Sequence, residues 1–96
     1  MEFEARELTP YVRQALKSTA ESGALVWSTD IGGPAEKAGL EPGDVVIEVD
    51  GKEVVDRDSL LTNLLSRTVG ESLKLRVQRG DQILDLTYQV REGTQN

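Results

Sequence analysis

The run GGPAEKAGLEPGDVVIEVDGKEV, Gly32 to Val54, constrains this chain more than any other segment. It carries turn and cap signals at four fixed offsets around one strand. Pro34 suits the first turn of a helix, where its missing N–H is no loss. Ala35 to Ala38 complete one turn, and Gly39 can close it in the left-handed conformation. Leu40 then packs back on that turn. Glu41-Pro42-Gly43-Asp44 is a turn in which Pro fixes φ and Gly supplies φ > 0. Val45-Val46-Ile47-Glu48-Val49 is β-branched and mostly apolar, the pattern of a largely buried strand. Asp50-Gly51 is the two-residue turn favoured between paired strands, and Lys52-Glu53-Val54 begins the return.

The rest of the chain supplies elements to surround that strand. Phe3 to Leu8 alternates apolar and charged residues, the period of a half-buried strand. Thr9 offers a cap and Pro10 a first helical position for a short helix, with Val12, Ala15 and Leu16 on one face. Ser18–Gly23 is a polar loop before a second strand, Ala24–Thr29. Asp56 or Asp58 can cap a helix over Ser59–Arg67, whose Leu60, Leu61, Leu64 and Leu65 make a wide apolar stripe. Leu73, Leu75 and Val77 alternate with polar residues. Arg79-Gly80-Asp81-Gln82 then turns the chain into a last alternating strand, Ile83–Val90. The expected fold is α+β and mostly β: a small, partly open antiparallel barrel or sandwich of five to six strands capped by two to three helices.

Composition narrows the function. Ninety-six residues suit one domain with one modest core. With no Cys and no His, thiolate metal sites, Ser-His-Asp triads and His-based zinc sites are excluded. Seventeen acidic against eleven basic residues give −6, which argues against nucleic acid or an anionic membrane as partner. No apolar stretch approaches the roughly 20 residues of a transmembrane helix. Nothing points to a cofactor, and a Ser18 or Ser28 nucleophile with Lys17 lacks anything to orient it.

Several motifs in order resemble bacterial PDZ domains, most closely those of HtrA/Deg serine proteases. They are Leu8-Thr9-Pro10, Gly33-Pro34-Ala35 with Ala38-Gly39-Leu40, Pro42-Gly43-Asp44, Asp50-Gly51-Lys52, Gly70-Glu71, and Leu75-Arg76-Val77-Gln78-Arg79-Gly80. The resemblance covers residues 1–91, leaving 92–96 as a polar tail. It implies the permuted strand order of bacterial members, with the ligand-flanking strand first. It departs from the family at Glu2, which stands where the carboxylate-binding loop carries Gly. Either the chain begins inside that loop, the expected case, or this copy does not capture C-termini in the usual way.

The resemblance further implies peptide binding by β-augmentation, between the strand at 3–7 and the helix at 59–67. Phe3, Glu4, Ala5 and Arg6 would supply the strand edge, with Phe3 and Ala5 on the pocket floor. Alignment back from Gly70 turns Leu61 and Leu64 towards the groove and Leu60 towards the core; a one-residue shift puts Leu65 in place of Leu61. Equally, all four leucines can serve the core. Arg57, Arg67, Arg76 and Arg79 read as surface charges, although Arg57, near the groove, could also contact an acidic ligand; Trp27 reads as a packing residue. The implied partners are extended or C-terminal peptides with a hydrophobic last residue, and a protease domain of the same parent. The isolated domain is expected to be a monomer, its parent a homo-oligomer in the periplasm or cell envelope. The alternatives are an assembly or autoregulatory module whose groove holds another part of the parent, or a PDZ domain of another periplasmic protease or secretion component.

Overall fold

The computed structural model describes residues 3–65, 67, 68 and 70–90, with Leu65 given by its backbone alone. The chain runs β1 (Phe3–Glu7), α1 (Pro10–Ala15), β2 (Ala24–Thr29), α2 (Pro34–Ala38), β3 (Val45–Val49), β4 (Lys52–Glu53), α3 (Arg57–Leu65), β5 (Ser72–Arg79) and β6 (Gln82–Gln89). The strands pair antiparallel in the order β1-β2-β3-β5-β6, with β4 beside β3. Among the described residues, six strands and three helices therefore realise the mostly-β fold expected from the sequence, with the first strand at a sheet edge.

The glycine-rich run forms as its residue types dictate. Thr9 caps α1, its Oγ1 accepting from the Val12 N–H at 3.1 Å. Gly39 closes α2 at φ 99°, and its N–H donates to the Glu36 carbonyl at 3.0 Å. Asp50 and Gly51 both have positive φ, at 50° and 82°, which a type I′ hairpin turn requires. Asp50 is held there from two sides. Its N–H donates to the Lys74 carbonyl, and its Oδ1 accepts from the Lys74 N–H, both at 2.8 Å. The Gly43 N–H donates to the Val26 carbonyl and the Val26 N–H to the Asp44 carbonyl, also at 2.8 Å. The turn is thus stitched to β2.

One core fills the concave side. Val26, Val46, Val49, Leu60, Leu75 and Val77 are fully buried there, with Phe3, Ala5, Leu73 and Tyr88 close behind. Phe3 lies on β1 and Tyr88 on β6, the two ends of the strand path, yet both enter the same cluster. The sheet therefore curls until its ends share side chains. A smaller cluster of Ala20, Leu25 and Val45 is covered by Leu8, Val12 and Ile47.

Several expectations need correction. Ala15 and Leu16 are exposed and α1 buries no residue, so the helix leans on Val12 alone. The third helix starts at Arg57 instead of Ser59. Asp56 is its cap, with Oδ1 accepting from the Ser59 N–H at 2.8 Å, while the Ser59 Oγ accepts from the Asp56 N–H at 3.2 Å. This reciprocal arrangement is a capping box, and it leaves Asp58 in the first turn. Neither Arg67 nor Arg79 is a surface charge: the Arg67 side chain is 19% exposed, with its Nη1 3.1 Å from Asp50 Oδ2, and Arg79 is tied in more firmly. Its guanidinium forks onto Asp44, Nε to Oδ1 and Nη2 to Oδ2 at 2.8 Å each, and also donates to the Gly39 carbonyl at 2.8 Å. Asp44 is 1% exposed. That pair, with its carboxylate buried and its guanidinium 33% exposed, ties β5 to the turn that precedes β3.

Candidate peptide-binding groove

The site begins with an unusual edge. An edge strand carries a row of backbone N–H and C=O groups without a ladder partner, ready to pair with another chain. β1 has β2 as its ladder partner among the described residues, and no strand beyond it. Its side chains alternate through Arg6: Phe3 and Ala5 are buried while Glu4 and Arg6 are exposed, and Glu7 at the strand's end is exposed as well. Phe3 and Ala5 thus turn into the main core beneath the edge, and Phe3 packs edge-to-face on Tyr88.

The exposed side of β1 is a charged surface. Arg6 Nε donates to Glu4 Oε2 at 2.8 Å, and the Arg6 guanidinium lies 4.1 Å from the centroid of the Trp27 ring. Trp27 is 48% exposed, so the sequence reading of it as a packing residue is replaced by a platform for Arg6. The register explains why. Glu4 pairs with Ser28 and Ala5 with Val26, which leaves Trp27 as the extra residue of a bulge. Bulges re-aim side chains in this way.

The opposite wall is α3. Leu60 is fully buried in the core; Leu64 is partly buried and packs against the same cluster, and Leu61 is partly buried. The side chain of Leu65 lies outside the described residues, as do Glu2 and the tail at 92–96. The structure therefore sets Phe3, Ala5 and Leu64 around one core, with Glu4 and Arg6 on the outer side of the same strand. Among the described residues, no group of three or more acidic side chains is placed to hold a metal ion.

The contact least legible in the sequence joins the two walls. Arg57 opens α3, and its Nε donates to the Ala5 carbonyl at 2.8 Å. The Arg57 backbone N–H donates to Glu7 Oε1 at 3.2 Å. The start of the helix is therefore latched to β1 by one side chain from each element. Sequence suggested that Arg57 is near the groove, but the pairing spans 52 residues and no local pattern encodes it.

An edge strand, a helix beside it and an apolar floor between them define a peptide-binding module of the β-augmenting kind, and the comparisons agree. The chain belongs to the PDZ domain family, whose sequence model matches residues 4–90. A probable periplasmic serine endoprotease, DegP-like, of Halomonas elongata is 42% identical over 69 residues, covering 71% of this chain and 14% of that protein. The structure described as HtrA-type protease AlgW with decapeptide superposes with a TM-score of 0.84 at 29% identity, covering 94% of this chain and 28% of the other. The HtrA3 PDZ domain bound to a phage-derived ligand (FGRWV) gives 0.78 at 25% identity, covering 93% and 81%. The resemblance to HtrA-type serine proteases thus holds in sequence and in structure. The chain spans only 8% to 20% of the first curated relatives it matches. Relatives include periplasmic DegP-like proteases, others named as mitochondrial, and a plant protein.

Proposed function

We propose that residues 1–91 form one PDZ domain that binds extended or C-terminal hydrophobic peptide segments in the groove between β1 and α3. The observation that carries this reading is an edge strand whose buried alternate residues, Phe3 and Ala5, share a core with the Leu64 of the facing helix. Backbone pairing along β1 supplies affinity without selecting sequence. Side chains of the floor and of α3, with Leu61, Leu64 and Leu65 as the helix contribution, select an apolar terminal residue. Glu4 and Arg6 flank the added strand. A micromolar complex, on the order of −8 kcal/mol, is ordinary for so small an interface.

In this reading the chain does no chemistry itself. Its relatives are serine proteases several times its length, and the domain recruits substrate to, or regulates, a protease domain of the same parent. The isolated domain is a monomer, the parent is a homo-oligomer, and the compartment is the periplasm or cell envelope. The presence of relatives named as periplasmic supports that placement. Titration with short peptides ending in Val, Leu, Ile or Phe tests the groove by NMR. Amide shifts should concentrate in residues 3–7 and 57–65. Saturating peptide that leaves those amides unmoved removes the proposal.

A further inference from the structure

We infer that Arg57 is a built-in competitor for the groove, one that a ligand carrying a carboxylate side chain displaces most readily. The inference rests on the peptide-binding reading above and adds a determinant of which peptides bind.

The argument starts from the Ala5 carbonyl. In a strand, the N–H and C=O of one residue point to the same edge, and successive residues alternate between edges. A carbonyl committed to the ladder faces β2. The Ala5 carbonyl instead takes the Arg57 Nε at 2.8 Å, from a helix outside that ladder. It is thus one of the acceptors that an added strand would need. While Arg57 holds it, one of that oxygen's two lone pairs is satisfied from within, and a ligand N–H that pairs there meets the guanidinium as a competitor, to be shared with at a cost or expelled. A net hydrogen bond of ordinary strength, lost in that exchange, lowers affinity by about three- to tenfold.

The same geometry says what would relieve the cost. A displaced guanidinium remains charged and seeks an anion. Its present carboxylate contact is weak: Asp58 Oδ1 is 3.8 Å from Nη1, on a side chain 83% exposed. Glu7 is engaged by the Arg57 backbone N–H, so it serves the latch without requiring the guanidinium. A ligand carboxylate arriving beside Ala5 would give Arg57 a charge-assisted, bidentate partner in exchange for a neutral carbonyl. A peptide without one pays the displacement and recovers nothing.

The test uses a peptide with an apolar last residue and a single Glu moved through its preceding positions, titrated into the unaltered chain and into Arg57→Met. Arg57→Gln, which keeps a shorter neutral donor, checks that packing alone is not responsible; both variants should retain a dispersed amide spectrum. The neutral parent peptide should bind Arg57→Met about three- to tenfold more tightly than the unaltered chain. Glu at one position should strengthen binding to the unaltered chain by a similar factor, and that gain should vanish in both variants. Equal affinity of the neutral peptide for both proteins, with a flat Glu scan, overturns the competitor while leaving the groove standing. Peptides that move no amide in residues 3–7 of either protein overturn the groove itself, and the competitor with it.

Discussion

The ring of Phe3 meets that of Tyr88 edge-on, with centroids 5.9 Å apart and planes at 76°. One ring comes from the first strand and the other from the last, so this contact closes the curl of the sheet beneath the proposed groove. Both residues are almost wholly buried. Phe3→Ala removes the aromatic pair and leaves a cavity under β1, and losses for such truncations run to about 3–5 kcal/mol. Urea unfolding should show a loss of that order. Phe3→Leu, which refills most of the volume, should cost far less. If both variants unfold at the same denaturant concentration as the parent chain, the contact does not hold β1 in place.

Among the described glycines, Gly23 carries the sharpest steric requirement. Its φ is +142°, and a Cβ built there would stand 2.6 Å from the Val46 carbonyl oxygen and 2.7 Å from the Val45 Cγ1. The carbonyl belongs to β3 at the centre of the sheet and cannot yield cheaply. Gly23→Ala should therefore destabilise by at least about 1–3 kcal/mol from backbone strain, with more from the displaced strand. Gly51, also at positive φ but with nothing within 4 Å of its Cβ position, provides the control. Gly51→Ala should cost less, and thermal melts of the two variants give the comparison. An equal loss at both sites would mean that the close approach at Gly23 contributes nothing.

How far the sequence reveals the fold depends on the range of the interaction. Gly39, Pro42-Gly43 and Asp50-Gly51 are legible because each solves a backbone problem within three or four residues, so α2, β3 and the hairpin have the bounds their residues imply. The start of α3 is less legible because Asp56 and Asp58 are chemically equal candidates; only the Ser59 hydroxyl bonding back to the Asp56 N–H decides between them. The bulge at Trp27 and the Arg79 fork on Asp44 depend on strand register and a 35-residue separation. Local periodicity holds neither. In the groove, alternation correctly buries Phe3 and Ala5, whereas Arg57 on the Ala5 carbonyl is a contact between distant elements that no spacing rule anticipates.

The Arg79–Asp44 pair should matter much more than its charge count suggests. Asp44 is 1% exposed, and besides Arg79 its Oδ2 accepts from the Glu41 N–H at 2.9 Å. Removing Arg79 leaves a buried carboxylate with that one remaining donor; because the Arg79 side chain is itself 33% exposed, the loss should be about 1–3 kcal/mol, short of that for a pair buried on both sides. Arg79→Met should show this loss in chemical denaturation. Arg76→Met, which breaks an ion pair with the exposed Asp85, should lose far less. Equal losses in the two variants would show that burial of Asp44 does not set the energy.

The Arg76–Asp85 pair makes a different prediction, in pH. Arg76 Nε donates to Asp85 Oδ1 at 2.9 Å, and Arg76 Nη2 lies 3.4 Å from Oδ2, across the β5–β6 ladder. The hydrogen bond from Arg76 and its charge hold the Asp85 carboxyl below its ordinary value and raise Arg76 in turn. A carboxylate depressed in the folded state favours folding above its unfolded-state pKa, and that contribution is lost as pH falls through the folded value. The pair therefore contributes nothing to stability once the solution is acidic enough to protonate Asp85. A carboxyl-detected NMR titration should place the Asp85 midpoint below that of an unpaired Asp. In Arg76→Gln the midpoint should move back up, and salt should move it the same way in the parent chain because both partners are solvent-accessible. A midpoint insensitive to both changes would remove Arg76 as the cause.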